Sequence, residues 1–382
     1  MEIPTRNLEL ARGVGSRVWT AEGTCYTDLV IGFGAVFLGH CHPHVTHRLQ
    51  DQVSKIWHSG RNTSPGATEA YTHIQEILPV GLRAAGLYST GMEVIEFAMR
   101  LAALNTGRQE FTGFSKSMHG KSAMTAALCW NNAPVTPALV HTLPFVDQVH
   151  EDIILERLRD LLCAKKIAAV VVEPIQGSNH GHEASIGFYE RLITLCHEYG
   201  TYSIFDETLT GLYRTGSRFY IDRLAKNPDF LVFAKSMANG FPIASIAIPD
   251  GMQVDALALP GSTYSGNPLA AAAVAGTLEA MSELPMLDMV ALIERTVRLA
   301  LAGIEANGTV LRGRGAIWVL EVNSKIQIEG VLKKIRAAGV IVSSHGNQIR
   351  ILPTVNMELA LLKDACSKIA DACVPAYKSI GI

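Results

Sequence analysis

The middle of the chain alternates short apolar runs with helical patterns, and that alternation sets the expected architecture. Residues 167–172, 201–205, 230–234 and 243–248 are apolar runs of strand length. Runs with no polar face belong to strands covered on both sides, so they predict a mostly parallel sheet between helices. Residues 187–199 carry a helical pattern between the first two runs. Upstream, 92–104 reads as an amphipathic helix opening after Ser89, Thr90 and Gly91, with Glu93 and Glu96 where the helix dipole favours acids. Downstream, 268–281 is alanine-rich and helical.

The last hundred residues have a different texture. A helix over about 287–307, strands near 317–322 and 340–343, the stretch QIRILP (348–353) and a closing helix predict a smaller α+β unit. The first fifty residues, with short strands around Val18 and Tyr26, are expected to join it. The expected organisation is an N-terminal part of the small domain over 1–50, a large domain over 51–285 and a C-terminal small domain over 286–382.

Three of the apolar runs end on charge: at Glu173, at Asp206 with Glu207, and at Lys235. In open α/β sheets that edge borders a crevice lined by helix N-termini, and ligands bind there. A lysine in so apolar a neighbourhood has a destabilised ammonium form, which frees the neutral amine to attack a carbonyl. A lysine that snorkels to the surface beside a loop fits the same pattern. Asp206 ends a strand about one βαβ unit earlier and can face the same crevice. A lysine that forms an imine and a carboxylate in one pocket are the two groups pyridoxal phosphate requires: the lysine holds the aldehyde and the carboxylate keeps the pyridine nitrogen protonated. Ser89 to Met92, at a helix start, offers backbone N–H groups and a hydroxyl for a phosphate. An ordinary N-cap shares that pattern.

Composition narrows the partners. Among 382 residues, 48% are hydrophobic and the formal net charge is −2, with no run of Lys or Arg. Such a chain has no electrostatic footprint for nucleic acid or an anionic membrane, so small molecules are the expected ligands. Seven cysteines lie scattered without C-x-x-C pairs, which fits reduced thiols in a cytoplasm. No apolar run approaches the ~18 residues of a membrane span, and the first residues, MEIPTR, lack the apolar core of an export signal.

The order of motifs resembles the class III (subgroup II) aminotransferases of pyridoxal-phosphate fold type I, in the branch that includes glutamate-1-semialdehyde aminomutase. The resemblance runs from about Gly13 to Pro353. It is carried above all by FDETLTGLYRTG (205–216) and PDFLVFAKSMANGFP (228–242), with LGHCHP (38–43), STGMEV (89–94), HG (119–120), VEPIQG (172–177) and TYSGNP (263–268) in support. It implies a large domain with a seven-stranded sheet, a smaller α+β domain and a homodimer with shared active sites. Lys235 would form the Schiff base and shuttle a proton, and Asp206 would pair with the pyridinium nitrogen. Thr90, Gly91 and Met92 would hold the phosphate, and Thr263 would reach it from the partner subunit. Met118, His119, Glu173 and Thr208 fall at further cofactor-contacting positions. Arg350 matches an arginine that clamps a substrate carboxylate, while a structural ion pair remains its other reading.

Three departures stand out. Met118 occupies the place of an aromatic residue that stacks on the cofactor ring, Thr208 that of a valine, and Ser178 that of a glutamate that masks the carboxylate-binding arginine in ornithine-type members. The histidines at 40, 42 and 44 are interrupted by Pro43 and are not expected to bind a metal. Gly313-Arg-Gly315 is expected to begin a small-domain strand, and His180 and His182 to lie in a loop near the crevice. The expected activity is pyridoxal-phosphate-dependent transfer of an amino group from an amino acid or amine to a carbonyl acceptor, by a ping-pong cycle. An aminomutase or racemase, and a silent cofactor-binding relative, are its rivals.

Overall fold

The computed structural model describes residues 8–60, 62–129, 137–254, 259 and 261–373. The N-terminal MEIPTR stretch therefore lies outside the described residues.

Seven strands form the central sheet, in the order Leu82–Tyr88, Ala244–Pro249, Phe230–Phe233, Tyr202–Asp206, Ile167–Val172, Glu110–Phe114 and Val140–Leu143. All neighbours pair in parallel except Ala244–Pro249, which runs antiparallel to both of its partners. Side chains alternate faces along each strand, because the strand period is two. Phe230, Val232, Ile204 and Val171 pack on the face covered by helix Gly91–Thr106. Leu231, Phe233, Phe205 and Val172 pack on the other face, with Phe188 and Tyr189 of helix Ile186–Glu198. Both faces are dry, which is why these runs read as unbroken apolar segments. Each such side chain contributes about 1.5–3 kcal/mol on burial.

Two four-stranded sheets flank this unit, and Ile175–Gln176 pairs with His182–Glu183 in a two-stranded one. Leu10–Val14, Arg17–Thr20 and Cys25–Asp28 form an antiparallel meander, completed by Val340–Ile341 in parallel beside Cys25–Asp28. Val310–Arg314, Ile317–Glu321, Gln348–Ile351 and Ser343–His345 form the other sheet. Helix Pro43–Val53 runs past residue 50 and packs on helix Pro268–Ser282, where Arg48 binds Glu279 and Glu69.

Three expectations need correction. The helix expected to reach 307 stops at Ala300, because Gly303 takes a left-handed φ of 84° and a 3₁₀ turn, Ile304–Asn307, follows. The strand expected over 340–343 is two: Val340–Ile341 joins the N-terminal meander and Ser343–His345 joins Gln348–Ile351. Gly313 and Gly315 end one strand and turn into the next, Ile317–Glu321, so they close a hairpin instead of opening a strand. A Cβ on Gly313 would lie 2.1 Å from the Ile317 carbonyl oxygen, so only glycine fits that turn.

Candidate active site

The C-terminal ends of the parallel strands open onto a cavity of about 350 Å³. Its lining includes Thr90, Gly91, Met92, Met118, Asp206, Thr208 and Lys235. That volume falls in the range of small-molecule sites.

Helix Gly91–Thr106 brings its N-terminus to this cavity. The Thr90 hydroxyl accepts from the Glu93 N–H at 3.1 Å, and the Glu93 carboxylate accepts in return from the Ser89 N–H at 2.9 Å. The reciprocal bonds fix the first turn. The N–H groups of Gly91 and Met92 have no partner within the helix and are available to an anion. Space at 91 is tight: a Cβ there would come within 3.2 Å of Thr208 Oγ1, which would have to give way by a few tenths of an ångström.

Asp206 ends its strand 3% exposed. Its Oδ2 lies 2.8 Å from His119 Nδ1, and its Oδ1 accepts from the Thr208 N–H at 3.0 Å. Burial pushes this carboxyl up, but the hydrogen bond and charge of His119, with those from Thr208, hold it below the usual carboxylate range. An ionised Asp206 can only accept, so His119 carries its proton on Nδ1. His119 Nε2 is buried with no hydrogen-bond partner.

Lys235 follows strand Phe230–Phe233 at a left-handed φ of 43° and starts the 3₁₀ turn Lys235–Ala238. Its strained backbone aims a partly buried side chain into the cavity. Burial brings its amine down to about 8. Asp206 and Glu173 favour the ammonium form, and Arg350 and Arg214 oppose it. Glu173 is pushed up to about 7, chiefly by burial, and its carboxylate accepts from the Met118 N–H.

Arg350 lies on strand Gln348–Ile351, partly buried, and donates from Nε to Ser343 Oγ at 3.1 Å. Its guanidinium carbon sits 5.6 Å from the centre of the Phe33 ring. Among the described residues no carboxylate lies within ion-pair distance of it; burial disfavours its charge and Glu173 favours it from further away. Ser178 meets the same strand two residues away: its carbonyl accepts from Gln348 Nε2 at 3.1 Å. Thr263 stands apart, exposed and outside its own chain's cavity, its carbonyl bonded to His58.

The other histidines serve elsewhere. His40 Nε2 pairs with Asp28 at 2.8 Å, and Pro43 begins a helix. His180, His182 and Glu321 come within 4.8 Å of one another, but Arg312 already gives Glu321 its counter-charge at 2.7 Å. The sequence reading gave no role to Arg214, which lies fully buried beside this site. The pattern LYRTG contained it, but no sequence rule marks one arginine as buried.

The residues present suit pyridoxal phosphate on structural grounds. A space that a Cβ at 91 would fill lies at a helix N-terminus, an orphaned imidazole nitrogen backs the buried aspartate, and a depressed lysine shares the cavity.

Comparison with known proteins agrees. Residues 3–373 match the family described as aminotransferase class-III. The chain is 31% identical to an acetylornithine aminotransferase of Methanopyrus kandleri, over 95% of this chain and 93% of that one. It is 29% identical to a 2-aminoadipate transaminase of Pseudomonas putida, over 94% and 93%, and 28% identical to a 4-aminobutyrate aminotransferase of Escherichia coli, over 94% of each. The solved structure of a transaminase from the marine bacterium Virgibacillus superposes with a TM-score of 0.88 at 22% identity, covering 96% of this chain and 92% of that one.

Proposed function

Because the chain belongs to the class-III aminotransferases, and so is a pyridoxal-phosphate-dependent enzyme moving an amino group from a donor to a carbonyl acceptor, we propose that Lys235 and Asp206 are the residues that carry this reaction. The observation that supports this most is their shared cavity, which also receives the start of helix Gly91–Thr106.

When bound, pyridoxal phosphate supplies an aldehyde that condenses with amines and a ring that withdraws electrons. Lys235 Nζ would hold that aldehyde. With its amine brought down to about 8, roughly a tenth is neutral at pH 7, against less than a thousandth for an ordinary lysine. Once freed by an incoming amine, Nζ would serve as the general base and acid that takes up and returns the substrate α-proton. Asp206, kept ionised by His119 and Thr208, would hold a proton on the ring nitrogen. Gly91, Met92 and Thr90 would bind the phosphate through N–H groups and a hydroxyl. Met118, which lines the cavity, would offer the ring a polarisable thioether in place of an aromatic face. Glu173 and His119 hold the surrounding backbone and carboxylate in position.

The donor we propose is an amino acid whose carboxylate is taken by Arg350. Its support is a guanidinium that no carboxylate among the described residues meets at ion-pair distance, with Glu173 acting on it only from further away, and a serine at 178 where ornithine-type members carry the masking glutamate. We also propose a cytoplasmic homodimer in which Thr263 reaches the partner's phosphate site. Its exposure, and that of Tyr264 and Trp57, supports a second copy covering this face, and seven cysteines scattered without C-x-x-C pairs support a reducing compartment.

The test is the absorbance of the holoenzyme before and after L-glutamate, L-alanine or a simple amine. A productive donor bleaches the near-visible band of the lysine-bound cofactor and leaves the stable amine form. A band that persists with every amino-acid donor contradicts the reading.

A further inference from the structure

Arg214 is 0% exposed, yet among the described residues no carboxylate lies within ion-pair distance of it. A buried cation without a counter-charge is costly, and chains keep few of them. Its approach is costly too, since Leu212 and Tyr213 just before it take left-handed φ values of 57° and 67°. The guanidinium carbon lies 3.9 Å from the centre of the Phe37 ring. Its Nη2 donates both to the Gly34 carbonyl and to Ser236 Oγ, the latter at 2.9 Å, while Nε and Nη1 have no partner.

The two acceptors belong to the two strained turns beside the cavity. Ile31–Gly34 is a left-handed turn, with φ of 41° at Ile31 and 55° at Phe33. A β-branched residue with positive φ is a genuine outlier and needs something to hold it. Ser236 sits in the Lys235–Ala238 turn, whose first residue is equally strained. The Ser236 hydroxyl also reaches the Gly34 carbonyl, at 3.3 Å. One side chain thus joins the segment carrying Phe33 and Ala35 to the segment carrying Lys235.

We propose that Arg214 is a positioning residue for amino transfer: it clamps the Ile31–Gly34 turn to the Lys235–Ala238 turn, and its charge shapes the field around the Lys235 amine. The clamp follows from the hydrogen bonds. The field follows from the company Lys235 keeps: Asp206 and Glu173 draw a proton to it, and Arg350 and Arg214 repel one. Arg214 does so without touching substrate, and with no partner carboxylate to cancel it. The proposal rests on Lys235 being the residue that holds the cofactor.

The test compares holoenzyme of the wild type, Arg214→Met and Arg214→Lys, with Lys235→Ala as the reference. The pH midpoint of the near-visible band and amide hydrogen exchange are measured for each. Losing the charge in Arg214→Met should raise the midpoint by about half a pH unit or more, because a repelling cation is gone. Arg214→Lys should hold the midpoint within a few tenths while exchange in residues 31–37 and 235–239 speeds up about tenfold or more, because a lysine cannot span both acceptors in the same way. A folded Arg214→Met with the wild-type midpoint, or a folded Arg214→Lys with wild-type exchange in both turns, overturns the proposal. If Arg214→Met does not fold, the exchange of Arg214→Lys decides. If Lys235→Ala keeps the band, the attachment reading fails instead, and the exchange data still judge the clamp.

Discussion

Replacing Asp206 with Asn removes one charge and almost no volume, so it isolates what the carboxylate does. The group is 3% exposed, its two oxygens are held by His119 at 2.8 Å and by the Thr208 N–H at 3.0 Å, and those partners keep it ionised against its burial. Removing one partner of a buried charge pair costs about 3–5 kcal/mol. If that stabilisation is expressed while the ring accepts electrons, the donor half-reaction slows on the order of 10²- to 10⁴-fold. The effect on Lys235 runs the other way. Asp206 favours its ammonium form, so the variant's amine falls below about 8 and cofactor attachment persists to lower pH. Single-turnover absorbance with saturating L-glutamate at several pH values, beside a thermal melt to confirm folding, measures both. A half-reaction within tenfold of wild type would refute the reasoning. So would loss of the cofactor band in step with the rate, because the argument separates holding the aldehyde from drawing electrons into the ring.

Other consequences follow from the same geometry. Gly91→Ala should weaken cofactor affinity about tenfold or more, as read by equilibrium dialysis, while the melting temperature hardly moves, since alanine favours the helix but crowds Thr208. Arg350→Lys should raise KM for L-glutamate about 10- to 100-fold through loss of the bidentate fork, with kcat for a simple amine unchanged; equal loss on both substrates would remove the carboxylate role. Cofactor capture by the apoprotein should rise with pH through a midpoint near 8, set by burial of Lys235; a stopped-flow midpoint near the ordinary lysine value would contradict it. Co-expressed Lys235→Ala and Thr263→Val chains, each poorly active alone, should recover about a quarter of the wild-type sites, because half the dimers are hybrids with one intact site. No recovery would place Thr263 outside a shared site.

The inner strands were legible because both faces are buried. Ile167–Val172 begins and ends where the apolar run does, and Phe230–Phe233 and Tyr202–Asp206 shift by one residue. Where burial is uneven the text fades. Glu110–Phe114 and Val140–Leu143 carry polar or small residues and gave no strand signal. The split at 340–345 was hidden because two- and three-residue strands have no period to read, and their partners lie far away in sequence. In the site, Lys235 and Asp206 could be read because charge ending an apolar run is anomalous. His119 could not be tied to Asp206, since nothing in a His-Gly pair tells which carboxylate it will face. Arg214 was illegible for a stronger reason: arginine among turn residues predicts a solvated surface, and only the tertiary structure shows it enclosed by Phe37, Gly34 and Ser236.

The central claim is that Lys235 holds the cofactor aldehyde. The most direct measurement is borohydride reduction of the holoenzyme followed by peptide mass spectrometry. The account predicts a stable pyridoxyl addition on the peptide containing Lys235, and on no other lysine in proportion to bound cofactor. Stoichiometric addition at a different lysine, or cofactor bound at full occupancy with no reducible bond to Lys235, would contradict it.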